Sequence, residues 1–482
     1  MAGLSARPET SEWSRRQTAS VYSSERRTAV VLSGSGAHGA YHAGVLRALH
    51  DAGVRIDVVA GHGIGAGGAA LAAIDGGARL WDADGIWRAA STKYLYGWKP
   101  LLRLGGWMSV VVLGLLAVPL VVLVGVLLVY GVAFLLTLLG LNAGAALVEI
   151  CSRWLETIFA PQNLPTIVPR LITLVLVLLC VSVSSGVLLA GWRAPAKRRF
   201  SGGWWWNLFG APLDGAPARA RFVDELWRLI RGAAPGPPPD TRTVGRRYAE
   251  VLAESIGQPG FRELIIVATD LDARREVVTA LLREPFRGQF LTPRTGHERR
   301  ADVIDLAGAG RENGVDVMAA ALTPPIACDP SLITFGLDTY WRGETHRVCD
   351  QPASIGRLLA EVDAAGVRQV IIVSGVAQTD GPHRLSTPGL DPRQRLGDYL
   401  MAAESVAVRD AVAFAVARFE AVYLVCPAHN ALGPFDFEGV YDEASDRRQN
   451  LSELMDRGYD DAHRQFVEPV VGASGEQLTA RA

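Results

Sequence analysis

Val58–Leu71 reads VVAGHGIGAGGAAL. A short apolar run ends on a glycine, a sharp turn follows, and small residues then continue at the density of a closely packed helix. Strand, sharp turn and helix form the frame of a nucleophile elbow, G-x-S-x-G, in which the central side chain is held out over the end of a sheet. Gly61 and Gly65 take the two glycine positions, His62 and Ile64 the variable ones, and Gly63 stands where the serine would be. Such a turn strains the backbone of a residue with a Cβ by about 1–3 kcal/mol, whereas glycine adopts it freely.

A second glycine turn lies upstream. SGSGAHGAYHAG (Ser33–Gly44) follows the apolar run TAVVL, and Gly34, Gly36 and Gly39 make G-x-G-x-x-G. Backbone N–H groups bared at a helix start attract negative charge. In a hydrolase, the stretch Gly34, Ser35, Gly36, Ala37, His38 and Gly39 would supply an oxyanion hole. A dinucleotide-binding fold uses the same spacing but wants an acid at the end of its second strand. Here Asp57 comes too early and Gly61 holds that end.

Working outward, strands and helices alternate. Ala40–Ala52 and Ile64–Ile74 read as helices and Arg55–Gly61 as a strand. Further on come a helix at Arg219–Arg231, strands at Glu263–Leu271 and Gln369–Gly375, a helix at Ser405–Phe419, a strand at Ala421–Pro427, and one long helix over Asp442–Val471. This order predicts an α/β fold with a mainly parallel sheet flanked by helices, with its site at the carboxyl ends of the strands.

Nearly half of the 482 residues are apolar, and mean hydropathy is above zero. The excess is concentrated. Met108–Leu139 carries no charge, and neither does Leu171–Gly191; a bilayer core takes about 20 helical residues. Lys93, Lys99 and Arg103 precede the first run, and Arg193, Lys197, Arg198 and Arg199 follow the second. Only Arg153 and Arg170 lie between. The positive-inside rule then predicts a two-helix transmembrane hairpin with both outer flanks in the cytoplasm. Trp98, Trp107, Trp192 and Trp204–Trp206 fall where aromatic belts belong, and Leu147, Ile150, Cys151, Trp154 and Ile158 recur at the spacing of a helix lying on the far surface.

Five parts are expected: an unstructured arm at 1–27, a first domain part at 28–100, the hairpin at 101–200, a second domain part at 201–440, and a C-terminal helix and tail at 441–482. The net charge of −1 offers no support for nucleic-acid binding. Five scattered cysteines without a C-x-x-C spacing read as reduced thiols, and the nine histidines show no metal-ligand spacing. No cofactor is expected.

VVLSGSGAHGAYHAGVLRAL (Val30–Leu49) and the elbow after it resemble the patatin-like phospholipases (PNPLA). LFGAPL (Leu208–Leu213), VATDLDARREVV (Val267–Val278), VMAAALTPPIACDP (Val317–Pro330), GPFDFEGVYDEASDRR (Gly433–Arg448) and GYDDAHRQFVEPVVG (Gly458–Gly472) continue the likeness in order. The resemblance implies a lipid acyl hydrolase in which an elbow serine attacks an ester and an aspartate in a D-G-G or D-G-A turn serves as its base. Transferred by position, the serine falls on Gly63 and the aspartate on Arg342 in TYWRGE, while His38 stands where arginine is usual. Asp338 lies four residues before Arg342, roughly 13 Å away in an extended stretch at about 3.3 Å per residue, too far to substitute for it, and Asp270 and Asp272 read as structural. The expectation is a degenerate hydrolase of lipid metabolism at the cytoplasmic membrane. Its ligand would be a membrane lipid or an acyl product, with a protein partner left open. The alternative is an active lipid acyl hydrolase with an unorthodox nucleophile.

Overall fold

The computed structural model describes residues 22–158, 160, 162, 164–193, 210–232, 236–292, 301–337, 339–377, 391–428, 432–438, 440–442 and 447–472. Asp338, Lys197–Arg199, Trp204–Trp206 and most of the expected arm lie outside them.

The larger unit comprises Met1–Gly97 and Leu213–Ala482, so its chain is discontinuous. Its sheet uses β1 (Thr28–Ser33), β2 (Val58–Gly61), β3 (Glu263–Asp270), β4 (Arg275–Leu281), β5 (Ala301–Asp305), β6 (Ser331–Thr334), β7 (Thr345–Cys349), β8 (Gln369–Ser374) and β9 (Ala421–Val425). The order is β9-β8-β1-β2-β3-β4-β5, with β7 paired to the end of β3 and β6 to β7. The five strands from β9 to β3 are parallel. β4 turns back antiparallel on β3, which makes the sheet mixed but mostly parallel.

β1, β2, β3 and β8 are buried at every position, which is why their middles are unbroken apolar runs that do not alternate, with polar residues such as Thr28, Glu263, Asp270 and Gln369 only toward the ends. On one face, Ala29, Val31, Val58, Ala60, Ile265 and Val267 pack against two helices. These contribute Ile355, Leu358 and Val362, and Val408, Val412 and Ala415. They are named α9 (Ser354–Ala364) and α10 (Pro392–Arg418) below, after α1 (His38–Asp51), α2 (Ile64–Ala72), α3 (Pro100–Leu138), α4 (Ala143–Ile158), α5 (Leu164–Arg193), α6 (Ala216–Ile230), α7 (Thr241–Ser255) and α8 (Gly314–Ala321). α8 packs on β3 and α2 on β2.

The chain leaves the larger unit after α2 and returns before α6, inside the crossover from β2 to β3. The intervening unit, Trp98–Pro212, contains α3, α4 and α5, with α3 against both of the others. α3 is longer than the uncharged run that announced it. It is the one helix among the described residues long and apolar enough to cross a membrane. In α5 the apolar stretch is shorter, Arg170–Ser185.

Two expectations need correction. Residues 22–27 are not part of a loose arm: Tyr22 is buried, and Arg27 forms a bidentate pair with Glu263 at 2.7 Å. Asp442–Val471 is not one helix either. Val440–Asp442 and Arg447–Gln449 form an antiparallel pair. Only then does α11 (Leu451–Ala462) begin, capped by the Asn450 side chain, and it runs into a π-helical turn, His463–Val471.

Candidate functional site

Parallel pairing of Leu32 with Gly61 brings the ends of β1 and β2 level. Both glycine turns therefore leave the sheet side by side. Two backbone hydrogen bonds join them: His62 N–H to the Leu32 carbonyl at 3.3 Å, and Ile64 N–H to the Gly34 carbonyl at 2.9 Å. Gly61, His62, Gly63, Ile64 and Gly65 are all buried, as are Gly34 to Gly39.

Gly63 caps α2 with φ 57° and ψ −138°, a conformation close to glycine-only backbone. A Cβ built there would lie 2.4 Å from the Gly34 carbonyl oxygen and 2.8 Å from Asp350 Oδ2. The elbow keeps the geometry of a nucleophile turn, but the space of the missing side chain is filled.

The filling carboxylate was missed in the sequence. Asp350 follows β7, and pairing of β7 with the end of β3 carries it to the elbow. Its Oδ1 lies 3.1 Å from His62 Nδ1 and its Oδ2 3.5 Å from Ser35 Oγ. Burial raises its pKa, and the neighbouring His62 opposes that shift. The readable signal was an acid directly after the strand HRVC and before the helix beginning at Ser354.

Arg342 is not at this site. It sits in the exposed turn between β6 and β7, with φ 33°, eight positions before Asp350. An extended strand rises about 3.3 Å per residue, so β7 carries that turn away from the elbow. The acid that the structure brings to the elbow is Asp350, not a residue at position 342. Asp270 and Asp272 have structural partners, His346 and Arg347.

His62 links three elements. Its Nε2 lies 2.9 Å from Ser33 Oγ, so Ser33, His62 and Asp350 form a buried hydrogen-bonded row. Behind it, His42 Nε2–H donates to the Ser33 carbonyl at 3.0 Å. Burial pushes the His42 pKa down to about 3, so this imidazole stays neutral. His38, at the start of α1, has Nδ1 3.2 Å from Glu404 Oε2 on α10, and both side chains are buried. The loop thus has two buried carboxyl groups beside it, Asp350 and Glu404.

One donor of the loop is already engaged. Ala37 N–H donates to the Pro434 carbonyl at 2.9 Å. That oxygen lies 1.9 Å from where a Cβ on Gly36 would be, and Gly36 has φ 55°. Pro434 belongs to the stretch GPFDFEG, whose proximity to the loop no local pattern announced.

Among the described residues, no group of three or more His, Cys, Asp or Glu could hold a metal ion.

A family model described as patatin-like phospholipase matches residues 30–310. The match takes in both glycine turns and stops short of Asp350. Among solved structures, VipD from Legionella pneumophila aligns over 93% of this chain and 67% of that one, at 14% identity and a TM-score of 0.33. So loose a superposition says nothing about the site. No curated protein matches the chain.

Proposed function

The chain belongs to the patatin-like phospholipase family, and from that premise we propose a membrane-held member that binds an acyl lipid without cleaving it by the family's serine–aspartate route. One observation carries this reading: Gly63 occupies the elbow, and Asp350 Oδ2 lies 2.8 Å from where a side chain would start. The serine–aspartate route needs a serine hydroxyl on the elbow, held within reach of its base. Here the acid has taken the nucleophile's own volume, and His62 and the loop's Ser35, not an elbow serine, are its hydrogen-bond partners.

The membrane part of the reading is supported by α3. Its 39 residues would extend about 58 Å at 1.5 Å per residue, enough to cross a hydrocarbon core of about 30 Å with length to spare. Its large apolar side chains, among them Leu113, Leu120, Val121, Leu127 and Phe134, are exposed. With Arg170–Ser185 as the returning pass and the basic flanks on one side, the α/β unit faces the cytoplasm. A reporter fused after Ala482 then reads as cytoplasmic; a signal from the opposite side overturns this orientation.

A second reading rests on the row Ser33–His62–Asp350. Serine to imidazole at 2.9 Å and imidazole to carboxylate at 3.1 Å is the order of contacts in serine acyl hydrolases. All three side chains are buried, which favours a structural role. Purified full-length protein treated with a fluorophosphonate probe separates the two readings. The binding-only reading expects no labelling and no ester turnover. Labelling on Ser33, abolished by Ser33→Ala, would establish the relocated nucleophile instead.

A further inference from the structure

The Pro434 carbonyl occupies a donor of the glycine loop that, on the reading proposed above, would hold an oxygen of the ligand. Its contact is with the backbone amide of Ala37, at 2.9 Å, in the glycine loop beside the elbow. The stretch around it is held as a small structure of its own. Gly433 N–H donates to Asp436 Oδ2 at 3.0 Å, closing a turn. Phe435 meets the Tyr96 ring edge-on, and Phe437 stacks on the same ring, each with centroids 5.9 Å apart. Tyr96 is anchored in turn by its hydroxyl, which donates to the Leu322 carbonyl at 2.6 Å.

We infer that the segment Gly433–Phe437 is a built-in surrogate ligand, a carbonyl with two apolar arms that closes the glycine loop until an acyl ester displaces it. The inference rests on the proposed reading of this cleft as an acyl-lipid site and adds what guards it and what opens it. Three observations point to an ester. The occupant is a neutral carbonyl oxygen accepting from a backbone amide, which an ester carbonyl can replace one for one. The flanking phenylalanines are apolar and buried, as an acyl chain in their place would be. Asp350 and Glu404 stand beside the loop, and as carboxyl groups they offer a free carboxylate or phosphate no cationic partner.

An approach exists on the outer side of the segment. Phe437 lines a cavity of about 570 Å³ together with Trp87, Lys93 and Leu451. The Trp87 ring packs directly against Gly39 of the loop. The Trp87 ring is thus what separates the cavity from the start of α1, with Phe437 beside it in the cavity wall. No covalent change is involved; one hydrogen-bond acceptor on Ala37 replaces another.

The test uses full-length protein in lipid nanodiscs and a monoacylglycerol carrying a diazirine, with the matching free fatty acid as a second probe. After photolysis, crosslinks are mapped by mass spectrometry, and amide exchange of residues 434–437 is followed with and without the ester. Phe437→Ala removes the ring stacked on Tyr96. Asp436→Ala removes the acceptor that closes the turn, and so gives an independent route to loosening should the first variant fold poorly. An aromatic pair of this kind holds the closed form by an amount that corresponds to roughly two- to tenfold in population. Ester crosslinking at Gly34–Gly39 should rise by that factor in Phe437→Ala, and should also rise in Asp436→Ala. The free acid should label less than the ester, and the ester should speed exchange at 434–437 in the wild type. Equal loop labelling in all three proteins overturns the surrogate-ligand inference and leaves the lipid-binding reading in place. No loop labelling in any of them, with folding verified by circular dichroism, overturns both.

Discussion

Asp350 Oδ2 and the missing side chain of Gly63 compete for one volume: the oxygen lies 2.8 Å from the position of a Cβ there. A buried carboxylate thus stands where an elbow side chain would begin. Placing a side chain there therefore demands that Asp350 and the Gly34 carbonyl both move.

Gly63→Ser should consequently lower stability rather than create an enzyme. The φ of 57° and ψ of −138° alone cost a residue with a Cβ about 1–3 kcal/mol, before the contact with the Gly34 carbonyl is counted. A thermal melt should show the midpoint lowered by a few degrees, and ester turnover should stay at background. Adding Arg342→Asp should change neither, because Arg342 is exposed in a turn apart from the elbow. Robust hydrolysis by Gly63→Ser alone would mean that Asp350 withdraws easily and serves as the base.

Arg27 and Glu263 tie the residues before β1 to the start of β3 across 236 positions of chain. Their side chains are 8% and 3% exposed, and without Arg27 the buried Glu263 keeps only the half-exposed Arg283, whose Nε lies 3.2 Å from it. Arg27→Ala should therefore cost somewhat less than the ~3–5 kcal/mol of a fully unpaired buried charge, read by denaturant unfolding of the full chain. The double variant Arg27→Met/Glu263→Leu should recover a good part of that loss. If Arg27→Ala proves neutral, the residues before β1 do not clamp the sheet.

His42 makes the folded state sensitive to acid. Its pKa is pushed down to about 3 by burial, with His38 and His62 adding smaller repulsions; in the unfolded chain it returns to about 6.5. Between those values the unfolded state binds the extra proton, so stability falls as pH drops from about 6.5 toward 3. The slope from this group approaches about 1.4 kcal/mol per pH unit. His42→Gln, which keeps a donor for the Ser33 carbonyl, should flatten the dependence. An unchanged slope in the variant would assign the acid sensitivity to other groups.

Extraction should report on α3. Leu120 and Val121 are both exposed on it. Leu120→Lys with Val121→Lys should release the protein from membranes into an alkaline carbonate wash, since each charge at a bilayer centre costs about 2.5–3.5 kcal/mol on insertion scales. Retention equal to wild type would count against a span at this position.

Some of this protein was decided along the chain. The apolar run TAVVL with its glycine turn and the frame of Val58–Leu71 carry their own geometry, because a buried parallel strand, a positive-φ turn and a helix of small residues are local events. So is the charge-free run that becomes α3. The absence of a serine at Gly63 could likewise be read letter by letter. The rest was decided only in three dimensions. Asp350 reaches the elbow because β7 pairs antiparallel with the end of β3, and transfer by spacing fell eight positions short on a turn. Pro434 reaches the Ala37 amide from almost 400 residues away. The contact is made by a main-chain carbonyl, a group common to every residue and therefore invisible to any pattern of side chains. His62 looked like a variable position until the register of Leu32 with Gly61 set it between Ser33 and Asp350. Local backbone preference and apolar periodicity are written in neighbouring residues. Which distant carboxylate or carbonyl fills a vacated site depends on strand pairing, which sequence spacing does not encode.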